Sequence, residues 1–482
     1  MNFAIIKRTL GYILIFEALF FIIPIITGLC YQETQTWAFV WTALICVGVG
    51  SLLVIGKVKN TSLYAKEGFV IVAGSWILMS LFGALPFVFS GAIPSYVDAL
   101  FETVSGLTTT GASILTGAQI EGLAKCLLMW RSFTHWIGGM GVLVFILAFL
   151  PLCGGGNNIN LLRAESPGPS VSKLLPKMRS TAGVLYIIYA VLTVIQCILL
   201  VFDMPLFDAI TTSFATAGTG GFSVRGDSIG GYSVYSQVVV TVFMILFSIN
   251  FTSFFFVIRG RFKESWSAEV RVFLGIVVTA ITLITINLCL TPIMQYGVGT
   301  AIKDSAFSVA SIISTTGFAV TDFNTWPAFS KTILVTLMFI GACAGSTGGG
   351  VKVSRLIIFV KGAHAEMRHV LHPKQVKKIT MDNRVVEHEV VRGVNGYLSA
   401  YILIFLASLL LISIEGHDLI TNFTSLAATI NNVGPGLGMV GPAGNFSFFG
   451  DFSKIVFIFD MLVGRLEIFP MLVLFSPSTW KK

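Results

Sequence analysis

The chain has 482 residues, of which 55% are hydrophobic and only 11% are charged. Its mean hydropathy is +0.86, whereas a soluble domain carries about 25% charged residues. This composition excludes a soluble globular protein and predicts an integral membrane protein. The net charge of +8 does not require a nucleic-acid partner, because basic residues gather in the cytoplasmic loops of membrane proteins, and we expect none.

Apolar runs of about 20 residues are long enough to cross a bilayer as helices. The sequence contains ten, at residues 10–30, 37–56, 69–91, 122–151, 182–203, 232–258, 270–292, 331–359, 394–414 and 452–475. The first two form a pair, and the other eight form four pairs that each bracket a shorter apolar segment. This order predicts a two-helix N-terminal element followed by four repeats. The predicted units are residues 1–67, 68–180, 181–265, 266–392 and 393–482.

The shorter segment occurs four times with one spacing. Each copy opens with Asp or Thr and closes 13 residues later with glycine, at residues 98–111, 208–221, 304–317 and 421–434. Such a segment is too short to span a bilayer, so we predict four helices that enter the membrane halfway, called half-helices 1 to 4. The predicted N-caps are Asp98, Asp208, Asp304 and Thr421. The closing glycines can adopt positive φ or admit a neighbouring backbone.

Basic residues are unevenly distributed between the predicted loops. Three loops carry Lys57, Lys59 and Lys66, then Arg163, Lys173, Lys177 and Arg179, then Arg259, Arg261 and Lys263. The segment 352–392 adds nine Lys and Arg, and Lys481 and Lys482 close the chain. The loops that hold the half-helices have little beyond Arg225 and Lys303. The positive-inside rule therefore predicts cytoplasmic termini and half-helices that enter from outside.

The histidine and cysteine patterns do not predict a metal centre. The segment 352–392 contains His364, His369, His372 and His388 without a cysteine, so we expect a solvated cytoplasmic face that can dock a soluble partner. Seven cysteines lie mostly in apolar runs without paired spacing. We expect them to be small buried residues rather than disulfides.

The repeated turns have the chemistry of a monovalent-cation site. A half-helix entering from outside directs the negative end of its dipole at the bilayer centre, and four such ends around one axis favour a cation. Backbone that returns through the membrane must line a cavity. The turns 108–112, 218–222, 314–318 and 431–435 contain no carboxylate, which a divalent-ion site would prefer. Neutral carbonyls and Thr hydroxyls therefore favour potassium.

Three further motifs complete the pattern. They are Gly-Ala-Cys-Ala-Gly-Ser-Thr-Gly-Gly-Gly-Val-Lys at 341–352, Asn-Asn-Val-Gly-Pro-Gly-Leu-Gly at 431–438 and Gly-Arg-Leu-Glu at 464–467. With the four half-helices, nearly the whole chain resembles the membrane subunits of bacterial Trk potassium-uptake systems, in the Trk/Ktr/HKT superfamily. The resemblance implies an all-α membrane protein with ten transmembrane helices and four re-entrant pore half-helices in pseudo-fourfold repeats around a central pore.

The resemblance also implies a selectivity filter. Its potassium sites would be formed by Thr110, Gly111, Gly220, Gly221, Thr316, Gly317, Val433 and Gly434. A second filter layer would consist of Thr109, Thr219, Thr315 and Asn432. The second copy, Gly-Thr-Gly-Gly at 218–221, is the richest in glycine and departs from the other three.

A gate below the filter is the next implication. Five glycines in residues 341–350 cannot form a stable helix interior, because each costs about 1 kcal/mol relative to Ala. The implied gate consists of Gly345, Gly348, Gly349, Gly350, Lys352 and Arg465. Close helix packing is the alternative for the glycine run. For Arg465, an electrostatic barrier to cations competes with an ion pair to Glu467 or Asp460.

The family implies a homodimer in the bacterial inner membrane that works with a cytoplasmic TrkA-type nucleotide-binding ring. This chain lacks a GxxxxGK[ST] or Rossmann fingerprint, so we expect no cofactor and only potassium as substrate. A sodium- or proton-coupled symporter is the alternative, with His135 and Glu102 as candidate relay residues that we expect to cap or pair. A membrane enzyme is disfavoured, because no nucleophile lies in a recognisable catalytic arrangement.

Overall fold

A computed structural model describes residues 1–56, 64–141, 178–291, 296–373, 378–382 and 384–480. In these residues the sole sheet is a hairpin of Thr380–Met381 and Arg384–Val385, and the other regular elements are helices. The chain is therefore an all-α membrane protein, as predicted. In the described part, six helices are long and apolar enough to cross a membrane: Phe3–Cys30, Thr36–Val54, Lys66–Phe89, Gly183–Val201, Ala268–Leu290 and His388–Glu415.

The N-terminal element is a pair of packed helices. Phe3–Phe20 and Ile22–Cys30 form its first arm, and Thr36–Val54 forms its second. The arms meet at two glycines: a Cβ on Gly11 would lie 2.7 Å from the carbonyl oxygen of Gly50, and a Cβ on Gly50 would lie 2.8 Å from that of Gly11. Small residues let helix backbones approach closely inside a membrane. The pair then packs against the first repeat.

Each repeat contains a first helix, a half-helix and a second helix. The first helices are Ala65–Gly83, continued by Leu85–Phe89, then Met178–Val201, Ala268–Leu290 and His388–Ile412. The half-helices are Tyr96–Leu107, Leu206–Ala217, Val298–Ile313 and Leu419–Ile430. The second helices begin with Lys125–Gly139, Val234–Ser248, Ala328–Ile340 and Asp451–Arg465. Connecting helices are Gly117–Gly122, Phe262–Ser265 and Pro477–Trp480, with 3-10 turns at Phe323–Thr325, Ser413–Glu415 and Gly438–Val440.

The predicted N-caps of the half-helices are wrong, because the helices begin earlier. In half-helices 1, 2 and 4 the predicted residue stands at the third helical position. The residues that cap the first and fourth are Ser95 and Asp418, whose side chains accept hydrogen bonds from backbone amides. Half-helix 3 has 16 residues, and Asp304 lies within it, 2.9 Å from the ammonium of Lys303. In half-helices 1 and 2 the predicted residue is an acid, Asp98 or Asp208, which still complements the helix dipole from the first turn.

The second helices are interrupted, whereas the sequence predicted an interruption only in the third repeat. The second repeat bends by 94° between Val234–Ser248 and Phe251–Ile258. In the third, the helix stops at Ile340 and resumes as Val353–Leu371. In the fourth, Glu467 and Ile468 adopt φ of 56° and 69° before Phe469–Phe475 begins. Spans 232–258, 331–359 and 452–475 are thus broken rather than continuous.

Some sequence predictions fall outside the described residues. They concern Lys57, Lys59, Arg163, Lys173, Lys177, the Arg179 side chain, Lys481, Lys482, Cys153 and the end of span 122–151. The segment 352–392, predicted as a loop, is instead largely helical, because Val353–Leu371 precedes the hairpin. Among the described cysteines no disulfide forms; Cys46, Cys126 and Cys343 are buried, but Cys30 and Cys289 are exposed, contrary to expectation.

Candidate ion-binding site

Every half-helix ends in the same hydrogen-bonded turn. At the end of half-helix 1, the amide of Thr109 donates to the carbonyl of Gly106 at 3.1 Å, and the amide of Thr110 donates to that of Ser105 at 2.9 Å. This pair of bonds is a Schellman motif. The other three copies repeat both bonds at 2.8 to 3.1 Å. Four segments of different sequence therefore share one backbone conformation.

Each turn has a left-handed position two residues before the closing glycine for which the sequence suggested a positive φ. Thr109, Thr219, Thr315 and Asn432 occupy it, with φ between 55° and 60°. A β-branched residue in this region is uncommon. The closing glycines, two residues later, also have positive φ, from 78° to 96°. Each turn thus contains two left-handed residues, which reverses the chain at the end of the helix.

The closing glycines show that the four turns surround one axis. A Cβ on Gly111 would overlap the carbonyl oxygen of Gly220 in the second copy. In the same way, Gly221 faces the carbonyl of Thr316, and Gly317 faces that of Val433. The ring closes where a Cβ on Gly434 would lie 2.7 Å from the carbonyl oxygen of Thr110. Each copy contacts the next in chain order, and the fourth contacts the first.

This ring brings together all eight residues that the resemblance implied for the potassium sites. The negative ends of four helix dipoles converge at it. The four residues of the implied second layer are fully buried. Their side chains are not equivalent: Thr219 Oγ1 donates to the carbonyl of Gly218, while Asn432 Nδ2 donates to Thr110 Oγ1 at 2.9 Å. Thr109 Oγ1 and Asn432 Oδ1 are buried without a hydrogen-bond partner.

A cavity of about 240 Å³ lies on one side of the ring. The four closing glycines line it, together with Arg131 and the segment 440–446. Its lining contains no carboxylate among the described residues. An ion that enters the cavity would reach the ring of carbonyls directly.

Adjacent repeats are fastened to each other around this cavity. The amide of Ile229 donates to the carbonyl of Ala319 at 3.0 Å, which joins repeats 2 and 3. Asn324 and Gly438 exchange two hydrogen bonds of 3.1 Å, which join repeats 3 and 4. The amide of Phe446 donates to the carbonyl of Ser113 at 2.9 Å, which joins repeats 4 and 1.

A buried ion pair fastens the remaining junction. Arg131 and Glu102 lie 2.8 Å apart, and both side chains are at most 1% exposed. The guanidinium also donates to the carbonyl of Ser223 at 3.1 Å and lies 4.1 Å from the ring centre of Phe222, both in repeat 2. Glu102 accepts from Ser113 Oγ and from the amide of Ile114. Glu102 is therefore paired, as the sequence led us to expect.

The glycine-rich break of repeat 3, called the intramembrane loop (residues 341–352), lies on the opposite side of the ring. The amide of Gly349 donates to Thr315 Oγ1 at 2.6 Å, and the amide of Gly350 donates to the carbonyl of Asn431 at 3.1 Å. A Cβ on Gly348 would lie 2.8 Å from the carbonyl oxygen of Ser314. The loop therefore contacts the base of half-helices 3 and 4.

The same loop meets the break in repeat 2. The amide of Cys343 donates to the carbonyl of Ser248, and Thr347 Oγ1 donates to that of Phe247, both at 3.1 Å. In return, the amide of Phe251 donates to the carbonyl of Gly345 at 3.0 Å. A Cβ on Gly345 would lie 3.1 Å from Asn250 Oδ1. The bend in repeat 2 and the intramembrane loop therefore pack directly against each other.

Arg465 connects the loop to repeats 1 and 4. Its guanidinium donates to the carbonyls of Thr347 at 2.8 Å, of Gly139 at 2.7 Å and of Gly138. The acids named as alternative partners are engaged elsewhere, since Glu467 pairs with Arg355 and Asp460 accepts from Ser408 Oγ at 2.8 Å. Arg465 therefore joins the end of the second helix of repeat 4 to the end of the second helix of repeat 1 and to the loop, beneath the ring of carbonyls.

Lys352 closes the loop, and Glu269 anchors it. The ammonium of Lys352 donates to the carbonyl of Gly348, so it points back into the loop. Glu269 Oε1 accepts from the amide of Ala344 at 2.7 Å and from the amide of Ser354 at 3.1 Å. Glu269 is 4% exposed. One carboxylate therefore holds both flanks of the loop.

Sequence reasoning missed three residues of this arrangement. Glu269 and Asn250 were not singled out, and His135 was expected to cap or pair but was not placed beside the ring. His135 is fully buried beside the ring, where it contacts Gly106 and Phe222. Each of these residues is a polar side chain within or beside an apolar run, and such residues inside a membrane are costly unless they have a specific role. That signal could have identified them.

Comparisons with known proteins agree with this architecture. A family model described as "TrkH: Cation transport protein" matches residues 35–482. The chain is 38% identical over 489 residues to "Trk system potassium uptake protein TrkH" of Escherichia coli (strain K12), with 100% of both chains covered. The corresponding protein of Halomonas elongata is 36% identical over 490 residues, again with 100% coverage of both.

A solved structure is similar over the same extent. The crystal structure of the potassium transporter TrkH from Vibrio parahaemolyticus matches with a TM-score of 0.88 and 34% sequence identity, covering 100% of both chains. This confirms the resemblance to the superfamily and the pseudo-fourfold fold. It also assigns the chain to transporters rather than enzymes. The chain belongs to the TrkH family of cation transport proteins.

Proposed function

We propose that this protein takes up potassium through a selectivity filter made of the four carbonyl-lined turns. The observation that carries the proposal is the closed ring, in which every closing glycine faces the carbonyl of the next copy. Carbonyl oxygens from four sides can replace the hydration shell of a monovalent cation. The potassium sites would be formed by Thr110, Gly111, Gly220, Gly221, Thr316, Gly317, Val433 and Gly434. Thr109, Thr219, Thr315 and Asn432 would form the layer beneath.

We further propose that the intramembrane loop gates this path. Gly348, Gly349 and Gly350 give the loop its close contacts with the base of the filter, where Lys352 and Arg465 add two positive charges. Gly345 contacts Asn250 at the break of repeat 2. Positive charge beneath a cation filter opposes passage. Opening would require the loop to leave Arg465, whose guanidinium donates to the carbonyl of Thr347 in the loop. Coupled symport gains no support from His135 and Glu102, because both are held by local contacts.

The orientation and partners complete the proposal. We expect both termini on the cytoplasmic side of a bacterial inner membrane, and the four repeats to occupy residues 68–180, 181–265, 266–392 and 393–482. We expect a homodimer that works with a TrkA-type nucleotide-binding ring, which the membership of a Trk-type family supports. The nucleotide-binding ring would dock where Arg259, Arg261 and the helix Val353–Leu371 expose basic residues.

Potassium uptake in a bacterial strain without its own uptake systems tests the function. We expect the chain, expressed with a soluble nucleotide-binding ring, to restore growth at low potassium. Uptake should follow the potassium gradient alone. A fixed requirement for a sodium or proton gradient would instead indicate coupled symport.

Arg465→Ala tests the gate. We expect higher potassium flux in proteoliposomes that lack the nucleotide-binding ring, because the variant loses the contacts with Thr347, Gly138 and Gly139. Arg271→Ala is a matched control, since it removes the same charge from an exposed position on the first helix of repeat 3. Unchanged or lower flux from folded Arg465→Ala protein would contradict the gating role.

A further inference from the structure

The second filter turn has glycine where the other copies have a side chain. Gly220 corresponds to Thr110, Thr316 and Val433. A Cβ on Gly220 would lie 2.5 Å from Cε1 of the His135 imidazole and still closer to Nδ1 and Cγ. A Cβ on Gly218 would overlap the backbone carbonyl of His135 rather than its imidazole. The imidazole of repeat 1 therefore occupies the space that a side chain of the second turn would need.

The imidazole also hydrogen-bonds to two turns at once. His135 Nδ1 lies 2.8 Å from the carbonyl oxygen of Gly106, and the amide of Phe222 donates to His135 Nε2 at 3.2 Å. A carbonyl oxygen only accepts and an amide N–H only donates, so the neutral tautomer with a proton on Nδ1 satisfies both bonds. The residue is 0% exposed.

The two partners lie at sensitive points of the ring. Gly106 is in the last turn of half-helix 1, and its carbonyl also accepts from Thr109, the left-handed residue of the first turn. Phe222 directly follows Gly221, the closing glycine of the second turn. His135 therefore ties the base of the first turn to the end of the second from behind the ring.

From this geometry we propose that His135 is a positioning residue that sets the conformation of the second filter turn and thereby the preference for potassium over sodium. The proposal rests on the filter function proposed above. A glycine-rich turn has the widest conformational freedom of the four, because glycine lacks a Cβ. The imidazole replaces the missing side chains by packing and holds the turn by one directed hydrogen bond. A residue of repeat 1 thus takes the place of the side chain that the second filter turn lacks at Gly220.

The experiment measures the ratio of potassium to sodium flux in proteoliposomes that contain purified full-length protein. We expect His135→Ala to lower the ratio about tenfold, because the buried amide of Phe222 loses its acceptor. Gly220→Thr alone should also lower the ratio, since its side chain and the imidazole would need the same space. The double variant should recover a higher ratio than His135→Ala, because Thr then fills the vacated space as in copies 1 and 3. Such non-additivity is the signature of direct contact.

Controls separate positioning from stability and from failure of the filter itself. Met129→Ala removes a buried side chain from the same helix and should leave the ratio unchanged. His135→Gln retains a donor and an acceptor, and should keep more of the ratio than His135→Ala. A wild-type ratio in His135→Ala, or additive effects in the double variant, would overturn the inference alone. If Gly317→Ala also leaves the ratio unchanged, the filter proposal fails and this inference fails with it.

Discussion

Replacing Gly221 with alanine tests the ring of carbonyls most directly. Gly221 has φ of 80°, and the added Cβ would overlap the carbonyl oxygen of Thr316. The left-handed conformation costs a residue other than glycine about 1–2 kcal/mol. If the ion-bound state bears that cost, potassium flux falls by about five- to thirty-fold. Displacement of the carbonyl adds to this loss.

The assay is potassium uptake into proteoliposomes, with the ratio of potassium to sodium flux as a second readout. Gly275→Ala is the matched control, because a Cβ there meets nothing within 4 Å and the residue lies inside a regular helix. Alanine in a helix interior is favoured over glycine by about 1 kcal/mol, so this variant should remain folded and active. Equal flux and equal ion ratio for the two variants would refute the reasoning about the ring.

Three further outcomes follow from contacts elsewhere. Glu269→Ala should raise potassium flux measured without a nucleotide-binding ring, because the intramembrane loop loses the acceptor of both flanks; wild-type flux in folded protein would argue against this anchor. Arg131→Ala should lower the melting temperature in detergent more than the double variant Arg131→Ala/Glu102→Gln does, because removing one member of a buried pair costs about 3–5 kcal/mol. Equal melting temperatures of the single and the double variant would disprove the coupling. Asp418→Ala should cost about 1 kcal/mol as a lost N-cap. Hydrogen bonds from Thr421 lower the pKa of Asp418 below its usual 3.8. The stabilisation by the Asp418 carboxylate is therefore present at neutral pH and is lost as the pH falls through that lowered pKa. Equal thermal unfolding of Asp418→Ala and the parent protein at pH 7 would contradict this stabilisation.

Sequence reasoning identified the four closing glycines of the ring because they follow a simple rule, whereas the other filter residues were implied by the family resemblance. A segment that is too short to span, repeated four times with a closing glycine, has one reasonable interpretation inside a bilayer. The N-caps were misassigned because Ser95 and Asp418 lie just outside the repeated spacing, and three of the residues within it are first-turn residues. Local signals of similar chemistry compete at a helix start, and only the backbone geometry separates them.

The sequence by itself determined the membrane class, the fourfold plan and the closing glycine of each half-helix turn, because hydropathy and spacing are local properties; the two filter layers were implied by the family resemblance. It also revealed the glycine-rich break in repeat 3, since five glycines in ten residues cannot remain helical. Only the tertiary structure decided that the breaks of repeats 2 and 3 meet, that Glu269 anchors the loop and that His135 fills the place of a side chain at Gly220. These contacts join residues that are far apart in the chain. Their partners are chosen by the packing of one repeat against another, which no single segment encodes.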